Sequence, residues 1–343
     1  MRYSIAAIRR PALLVSLGLL VALLLPGCGD GGQTAGSLFP HSALYALSPT
    51  QLSVSRYSLI TNSLTLNLLT LPSGAQPTDL AVRLGKGYLL DAATRTLRVF
   101  TTADGEPLKE INLGATVSPQ RVRPYTDTIA YVTDSANGAL LVVDLNAETV
   151  TPHTLGGAPQ AITFALGKMY VTNTAGTGSV TVVSVGSYNI LNTINLSTAP
   201  LAVASDGRGQ VHVLTAGTDT DAQARVYRIN THFDVVSGAP LLLGADAVDL
   251  VRGEDDRGYA PAHASATLGT PAGVIVYDWS TGNLLYNGVP VEVGATPGSA
   301  VALSGKRVAV ADQVTGQVHV IGQSPTSAPL TTFDRPVSRL VAE

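Results

Sequence analysis

One short pattern returns along this chain about every 41 residues, and it constrains the possible folds more than any other feature. It is an apolar run that closes on a polar residue: Tyr45-Ala-Leu-Ser48, Tyr88-Leu-Leu-Asp91, Tyr131-Val-Thr-Asp134 and Tyr170-Val-Thr-Asn173. Weaker copies are His212-Val-Leu-Thr215, Tyr259-Ala-Pro-Ala262 and Ala309-Val-Ala-Asp312. Successive starts lie 43, 43, 39, 42, 47 and 50 residues apart. An independent marker is a proline opening an apolar strand, at Pro77, Pro119, Pro159, Pro200, Pro297 and Pro336. The one long gap, between Pro200 and Pro297, holds a degenerate copy at Asp246-Ala-Val-Asp-Leu-Val251.

Each unit reads as four short strands. In the fourth unit these are Ala161–Phe164 after the proline, Met169–Thr172, Val180–Val183 and Leu191–Leu196. With 34 Gly and 20 Pro marking frequent turns, such runs leave no room for helices of ten or more residues. Four strands in about 40 residues make a propeller blade. Counting units predicts an all-β, seven-bladed β-propeller. The chain enters on a second strand near Tyr45 and ends on a first strand, Val337–Ala342, so the C-terminal strand is expected to close the ring.

Tyr170-Val171-Thr172-Asn173 resembles the signature of the YVTN family of β-propeller repeats, and Tyr131-Val132-Thr133-Asp134 is a near match. The third strands with their polar turns, Val142-Val143-Asp144 and Ile275-Val276-Tyr277-Asp278, are similar to that family as well. The resemblance spans roughly residues 43–343 and implies the fold. It implies no single activity, since such propellers include enzymes, electron-transfer subunits and proteins without known activity; function has to be argued from a site.

The N-terminus is of a different kind. Arg2, Arg9 and Arg10 precede Pro11–Leu25, an apolar run of 15 residues that is too short for a membrane span of about 20 and reads as a secretory signal. Leu25-Pro26-Gly27-Cys28 resembles the bacterial lipobox, which implies a lipidated Cys28 as the new N-terminus. One cysteine can make no internal disulfide, and this assignment gives it a role. Residues 29–42 are Gly-rich and polar, a tether reaching on the order of 20 Å. The expected organisation is a signal peptide over 1–27, lipidated Cys28 and tether over 28–42, and the propeller over 43–343. Gly29 rather than Asp after the cysteine is similar to lipoproteins sorted to the outer membrane, so the expected location is the cell envelope, lipid-anchored there.

Charge excludes one class of partner. The formal charge is −3, and without the three leader arginines 18 basic residues face 24 acidic ones. An acidic surface argues against nucleic acid. No catalytic or cofactor motif appears, and none of the six histidines has metal-ligand spacing. His212 and His319 read as ordinary strand residues, Trp279 as part of a turn, and Glu254-Asp255-Asp256 as a solvated charge run. Asp91, Asp134, Asn173 and Asp312 read as repeated turn chemistry, and the ionisable residues in general fall in predicted turns.

Loop length singles out two copies. The loop after the second strand extends over Thr215–Ala224 in the fifth unit and Ala260–Gly273 in the sixth, on one face of the ring. Asp219, Asp221 and His263 are the candidate binding residues there, because insertions on one face of a repeat array mark binding surfaces. The sequence therefore predicts a monomeric, non-catalytic platform without a cofactor, anchored to a membrane through Cys28, for a protein or glycan partner. An enzyme of lactonase or quinoprotein-dehydrogenase type is the alternative.

Overall fold

A computed structural model describes residues 41–217 and 221–343 of the chain. The expected signal segment, Cys28, nearly all of the tether, and Asp219 lie outside the described residues.

Seven antiparallel sheets form a seven-bladed propeller, and a single 3₁₀ turn, Tyr286–Gly288, is the only helical element among the described residues. The fourth blade shows the pattern, with strands Pro159–Ala165, Lys168–Asn173, Ser179–Ser184 and Ile190–Asn195 ordered from the channel outwards. Blade one is assembled from both ends of the chain. Arg339–Ala342 is its inner strand and pairs with Ala43–Ser48, setting Leu44 opposite Ala342 and Leu47 opposite Arg339. The C-terminal strand closes the ring, as the repeat count required.

The core is divided rather than central. One apolar cluster fills each junction between neighbouring blades, for example Val122, Leu90 and Leu141 between blades two and three. The tyrosine of the repeat belongs to this packing. Tyr45, Tyr88, Tyr131, Tyr170 and Tyr259 are all buried. Each brings a large ring and a hydroxyl that needs a partner. Tyr170 donates to Asp234 Oδ1 of the next blade at 2.6 Å and Tyr259 to Asp255 Oδ2 at 2.9 Å.

In blade five His212 takes the tyrosine position, within the strand Gln210–Thr215 as expected. His212 is fully buried, with Nδ1 2.9 Å from Tyr277 Oη and Nε2 3.0 Å from Gln210 Oε1. Trp279 of blade six lies flat on its ring, centroids 3.6 Å apart and planes 9° apart. Trp279 opens the turn after the third strand, as expected, and its side chain is buried in this junction. Burial first, then Arg228 and Arg252 nearby, push the His212 imidazole well below its ordinary value, so it is a neutral packing group.

Two blades depart from the pattern. In blade five the outer strand breaks into Val235–Val236 and Leu241–Leu242, both pairing with Arg225–Asn230. In blade six the inner strand breaks into Asp246–Ala247 and Val251–Arg252, with Val248, Asp249 and Leu250 outside the ladder. In blades two, three, four, five and seven the inner strand carries a register shift just after its proline, between Pro77 and Asp79, Pro119 and Val122, Pro159 and Ile162, Pro200 and Ala202, and Pro297 and Ala300. Proline has no N–H for a ladder and suits a strand opening, and the bulge behind it re-aims the next side chains.

Candidate functional site

The polar residue that ends the second strand is a staple. Asp91 Oδ1 accepts the N–H of Ala93 in its own turn at 3.0 Å and that of Gln76 at 2.9 Å. Asp134 Oδ1 does the same with Ala136 and Ser118, and Asn173 Oδ1 with Ala175 and Ala158. Asp312 accepts from Val314, Thr315 and Thr296. Gln76, Ser118, Ala158 and Thr296 each precede the opening proline of the same blade. The side chain thus does more than the expected turn chemistry: it ties the turn to the entrance of the inner strand. Blades one, five and six have Ser48, Thr215 and Ala262 at this position. The staple is missing on both blades that carry the long loops.

Asp312 allows a test. Burial alone would raise its carboxyl, but the amide and hydroxyl donors of Thr315 and Thr296 outweigh burial and hold it at about 2. A folded value below the unfolded one contributes stability above pH 4 that is lost as pH falls towards 2. Asp312→Ala is expected to lower unfolding free energy by about 2 kcal/mol at pH 7. The gap should narrow at pH 2.5, as read by urea unfolding at both pH values. A gap independent of pH would contradict the assignment.

The channel wall is where the sequence reading needs its main correction: ionisable residues are not confined to turns. The bulge position, two residues after the proline in most blades, is Asp79 in blade two, Arg121 in blade three, Ala161 in blade four and Ala202 in blade five. Asp249, Ser299 and Arg339 are the equivalents in blades six, seven and one, by their register against the second strands. Asp79 is fully buried, and its Oδ2 accepts the Val122 N–H of the next blade at 2.9 Å. Asp249 Oδ2 accepts the Ala300 N–H of its next blade at 3.0 Å, and Ser299 Oγ accepts the Leu340 N–H at 3.1 Å. Each is a latch from one inner strand to the backbone after the next blade's bulge.

Two guanidinium groups flank Asp79. Arg339 Nε lies 3.2 Å from Oδ1 and Arg123 Nη1 3.6 Å from Oδ2. Burial, together with the repulsion of Arg339 and Arg121, lowers the Arg123 guanidinium to about 10 against the attraction of Asp79 and Asp249. Asp249, from blade six, therefore shares one field with residues of blades one to three. Counted two residues from the opening proline, the sequence shows charge only at Asp79 and Arg121; Asp249 and Arg339 join the set through strand register alone.

The structure brings few of the predicted site residues together. Asp221 forms an ion pair with Arg225, the first residue of the strand after its loop, Oδ2 to Nη2 at 2.7 Å. His263 ends the strand Arg257–His263, paired with Asp246, so the sixth-blade loop is residues 264–272, shorter than expected. Its buried Nε2 has no hydrogen-bond partner among the described residues. No group of three His, Cys, Asp or Glu able to hold a metal occurs among the described residues. Glu254-Asp255-Asp256 is not a plain solvated run. Glu254 Oε2 accepts the Gly305 N–H of the next blade at 2.9 Å, Asp255 takes Tyr259 and Arg257, and Asp256 pairs with Arg252.

No protein-family model matches the chain, and no curated protein matches it. Solved structures do. A functionally unknown protein from Desulfotomaculum acetoxidans DSM 771 has a TM-score of 0.64 at 11% identity, covering 88% of this chain and 98% of that one. Virginiamycin B lyase from Staphylococcus aureus, in a catalytically inactive form with quinupristin, has a TM-score of 0.62 at 14% identity, covering 76% and 86%. The Dos1 propeller has a TM-score of 0.60 at 12% identity, covering 90% and 88%. At these identities the likeness is one of fold, and the fold to which all three point is the β-propeller.

Proposed function

We propose that this chain is a lipid-anchored cell-envelope propeller of the YVTN-repeat kind, working as a non-catalytic binding platform for a protein or glycan partner. Cys28 carries the anchor, residues 28–42 form the tether to the outer membrane, and the long loops of blades five and six form the docking rim. One observation carries the non-catalytic part: the carboxylates that converge on the channel are engaged as latches. Asp79 and Asp249 each hold a backbone N–H of the next blade, and Asp79 also carries two arginines. An acid–base catalyst needs a group free to exchange a proton near neutral pH. The rim is different in character: it lacks the staple, and its loops are the longest of their class.

The test has two arms in intact cells. Cys28→Ser should move the protein from the membrane to the soluble envelope fraction, and mass spectrometry of the wild type should find acylation on residue 28. Photo-crosslinking side chains at Ala216 and Thr267, on the rim, should give discrete adducts that are absent at Leu166 on the opposite face. Membrane retention of Cys28→Ser would overturn the anchor. Adducts at Leu166 alone would overturn the rim.

The convergence of Asp79, Arg121, Arg123, Asp249 and Arg339 is the observation that favours the enzymatic alternative. A lactonase or quinoprotein dehydrogenase would place substrate at this level of the channel, and turnover of such substrates, abolished by Asp249→Asn, would establish it.

A further inference from the structure

Successive turns of a blade alternate between the two faces of the ring, and those on the face away from the rim are tied to one another. In five blades the first residue after the third strand donates its amide to the turn between the first and second strands. Thr102 donates to the Gly85 carbonyl at 2.9 Å, Leu145 to Thr128 at 2.7 Å, Val185 to Gly167 at 3.0 Å, Thr231 to Gly209 at 3.0 Å and Trp279 to Asp256 at 2.9 Å. In blade one Leu59 makes the same bond to Ser42 at 2.8 Å. Ser42 therefore stands on this face. Before it, the His41 amide donates to Ser304 Oγ in the blade-seven turn at 3.1 Å, and the Ser304 amide to His41 Nδ1 at 2.8 Å. The segment that leads back to Cys28 thus joins the propeller on the face opposite the rim.

The same face carries exposed apolar side chains at its turns. Ile60 and Phe233 are 76% exposed, Leu84 66% and Leu166 46%. Among the described residues, the turns of the rim face have one such side chain, Val314. Leu84-Gly85 and Leu166-Gly167 are two-residue hairpin turns with both φ angles positive, 49° and 74° in one, 49° and 72° in the other. That backbone suits Asn-Gly and disfavours leucine. The leucines do not serve the turn, and at these exposures they do not serve the core. Leu166 borders a cleft of about 250 Å³ shared with Tyr125, Phe164 and Val185. Phe233 stands next to it, since the adjacent Asp234 accepts from Lys168 Nζ at 2.7 Å. Ile60 follows Leu59, the partner of Ser42, and so flanks the point where the tether joins.

We propose that this face lies on a lipid surface, with Ile60, Leu84, Leu166 and Phe233 entering the headgroup–acyl boundary of the membrane. Apolar side chains on an interfacial element gain by burial at that depth. The face holds acids as well as bases, so apolar insertion and not charge is the grip. Glu254-Asp255-Asp256 makes blade six the side tilted away from anionic headgroups, and the contact runs over blades one to five. The proposal rests on the Cys28 anchor for its membrane: the anchor supplies retention and the turns supply orientation, with the rim turned outwards.

The experiment reads depth in the bilayer. An environment-sensitive fluorescent side chain is incorporated into the full-length protein at Leu84, Leu166 or Phe233, and at Ala216 or Val314 on the rim face. Each protein is reconstituted into phosphatidylethanolamine–phosphatidylglycerol vesicles with brominated acyl chains. The labels at Leu84, Leu166 and Phe233 should be quenched and the rim-face labels should not. Quenching should persist in about 1 M sodium chloride, where exposed charges are screened beyond about 3 Å. Leu84→Asn with Leu166→Asn gives both turns their favoured Asn-Gly pair, so the thermal midpoint should not fall. Quenching at Phe233 in that variant should drop at least about twofold, because two of the inserted side chains are gone. Vesicle-bound protein with none of these labels quenched, or with every position quenched alike, would overturn the face and leave the anchor standing. Quenching at the three positions without acylation of residue 28 would overturn the anchor and leave the face. Protein that stays free of the vesicles would overturn both. A lower midpoint in the double variant would show that the leucines pack in the fold, and would overturn the proposal.

Discussion

Deleting Pro336–Glu343 is expected to abolish the cooperatively folded propeller. The eight residues are few, but they make the inner strand of blade one. Without Arg339–Ala342, the strand Ala43–Ser48, buried along its whole length, becomes an open edge. Val337 and Leu340 leave the cluster between blades seven and one, and Val341 leaves that between blades one and two. Each of these buried side chains is worth about 1.5–3 kcal/mol. Asp79 loses Arg339 as well, and the Ser42 and Ala43 amides lose the carbonyl of Glu343. The summed loss is comparable with the 5–15 kcal/mol by which a typical domain is stable. Circular dichroism of the truncated chain should show no cooperative melt near that of the wild type. Leu340→Ala keeps the strand and loses one side chain, so it should melt cooperatively with a loss of about 2–5 kcal/mol. A truncated chain melting within about 2 °C of the wild type would show that the ring does not depend on this strand.

That closure was legible in the sequence because it follows from the phase of a repeat, which needs only the spacing of Tyr45, Tyr88, Tyr131 and the prolines. The repeat tyrosines and prolines mark positions the backbone geometry enforces in every blade: a large ring in each wedge, and a residue without N–H at each strand opening. What varies from blade to blade was harder to see. His212 reads as a strand residue and is one; its role in a blade junction stays hidden because, Gln210 apart, its partners Tyr277 and Trp279 arrive from the third strand of the next blade and the turn that follows it. Asp255 looked solvated for the same reason, since its chain neighbours are charged, while Tyr259 lies above it only in the folded hairpin. The latches Asp79 and Ser299 sit two residues after the start of a strand and Asp249 in the break of one, where a polar side chain looks accidental. Their role becomes visible only when the bulge aims them at the backbone of the adjacent blade. Of the rim residues, Asp221 and His263 were placed on neighbouring blades by loop length alone. Loop length fixes which face a residue is on and leaves open what its side chain meets.

Asp79→Ala is expected to be the most damaging single substitution in the channel, at about 3–5 kcal/mol, the usual cost of removing one partner from a buried ion pair. The argument is one of asymmetry. The carboxylate is fully buried between Arg123 of blade three and Arg339 of blade one, with the Val122 amide as its third contact. Its removal leaves two guanidiniums repelling each other and a backbone donor unsatisfied. Loss of one arginine is milder, because Asp79 keeps the other. Asp79→Asn separates the two effects: the amide oxygen can still accept from Val122, so its loss relative to wild type measures the charge alone. In the double variant Asp79→Asn with Arg339→Met, one of the two repelling cations is gone. The double variant should therefore be destabilised by at least about 1 kcal/mol less than the sum of the single losses, the coupling expected of groups in contact. Urea unfolding of the wild type, Asp79→Ala, Asp79→Asn, Arg339→Met and the double variant at pH 7, with slopes compared to confirm a common unfolded state, supplies all of these differences. If Asp79→Ala costs under about 1 kcal/mol, the carboxylate is not a latch but a solvated or exchangeable group. The channel would then hold a free acid beside three arginines, the arrangement an enzyme would need.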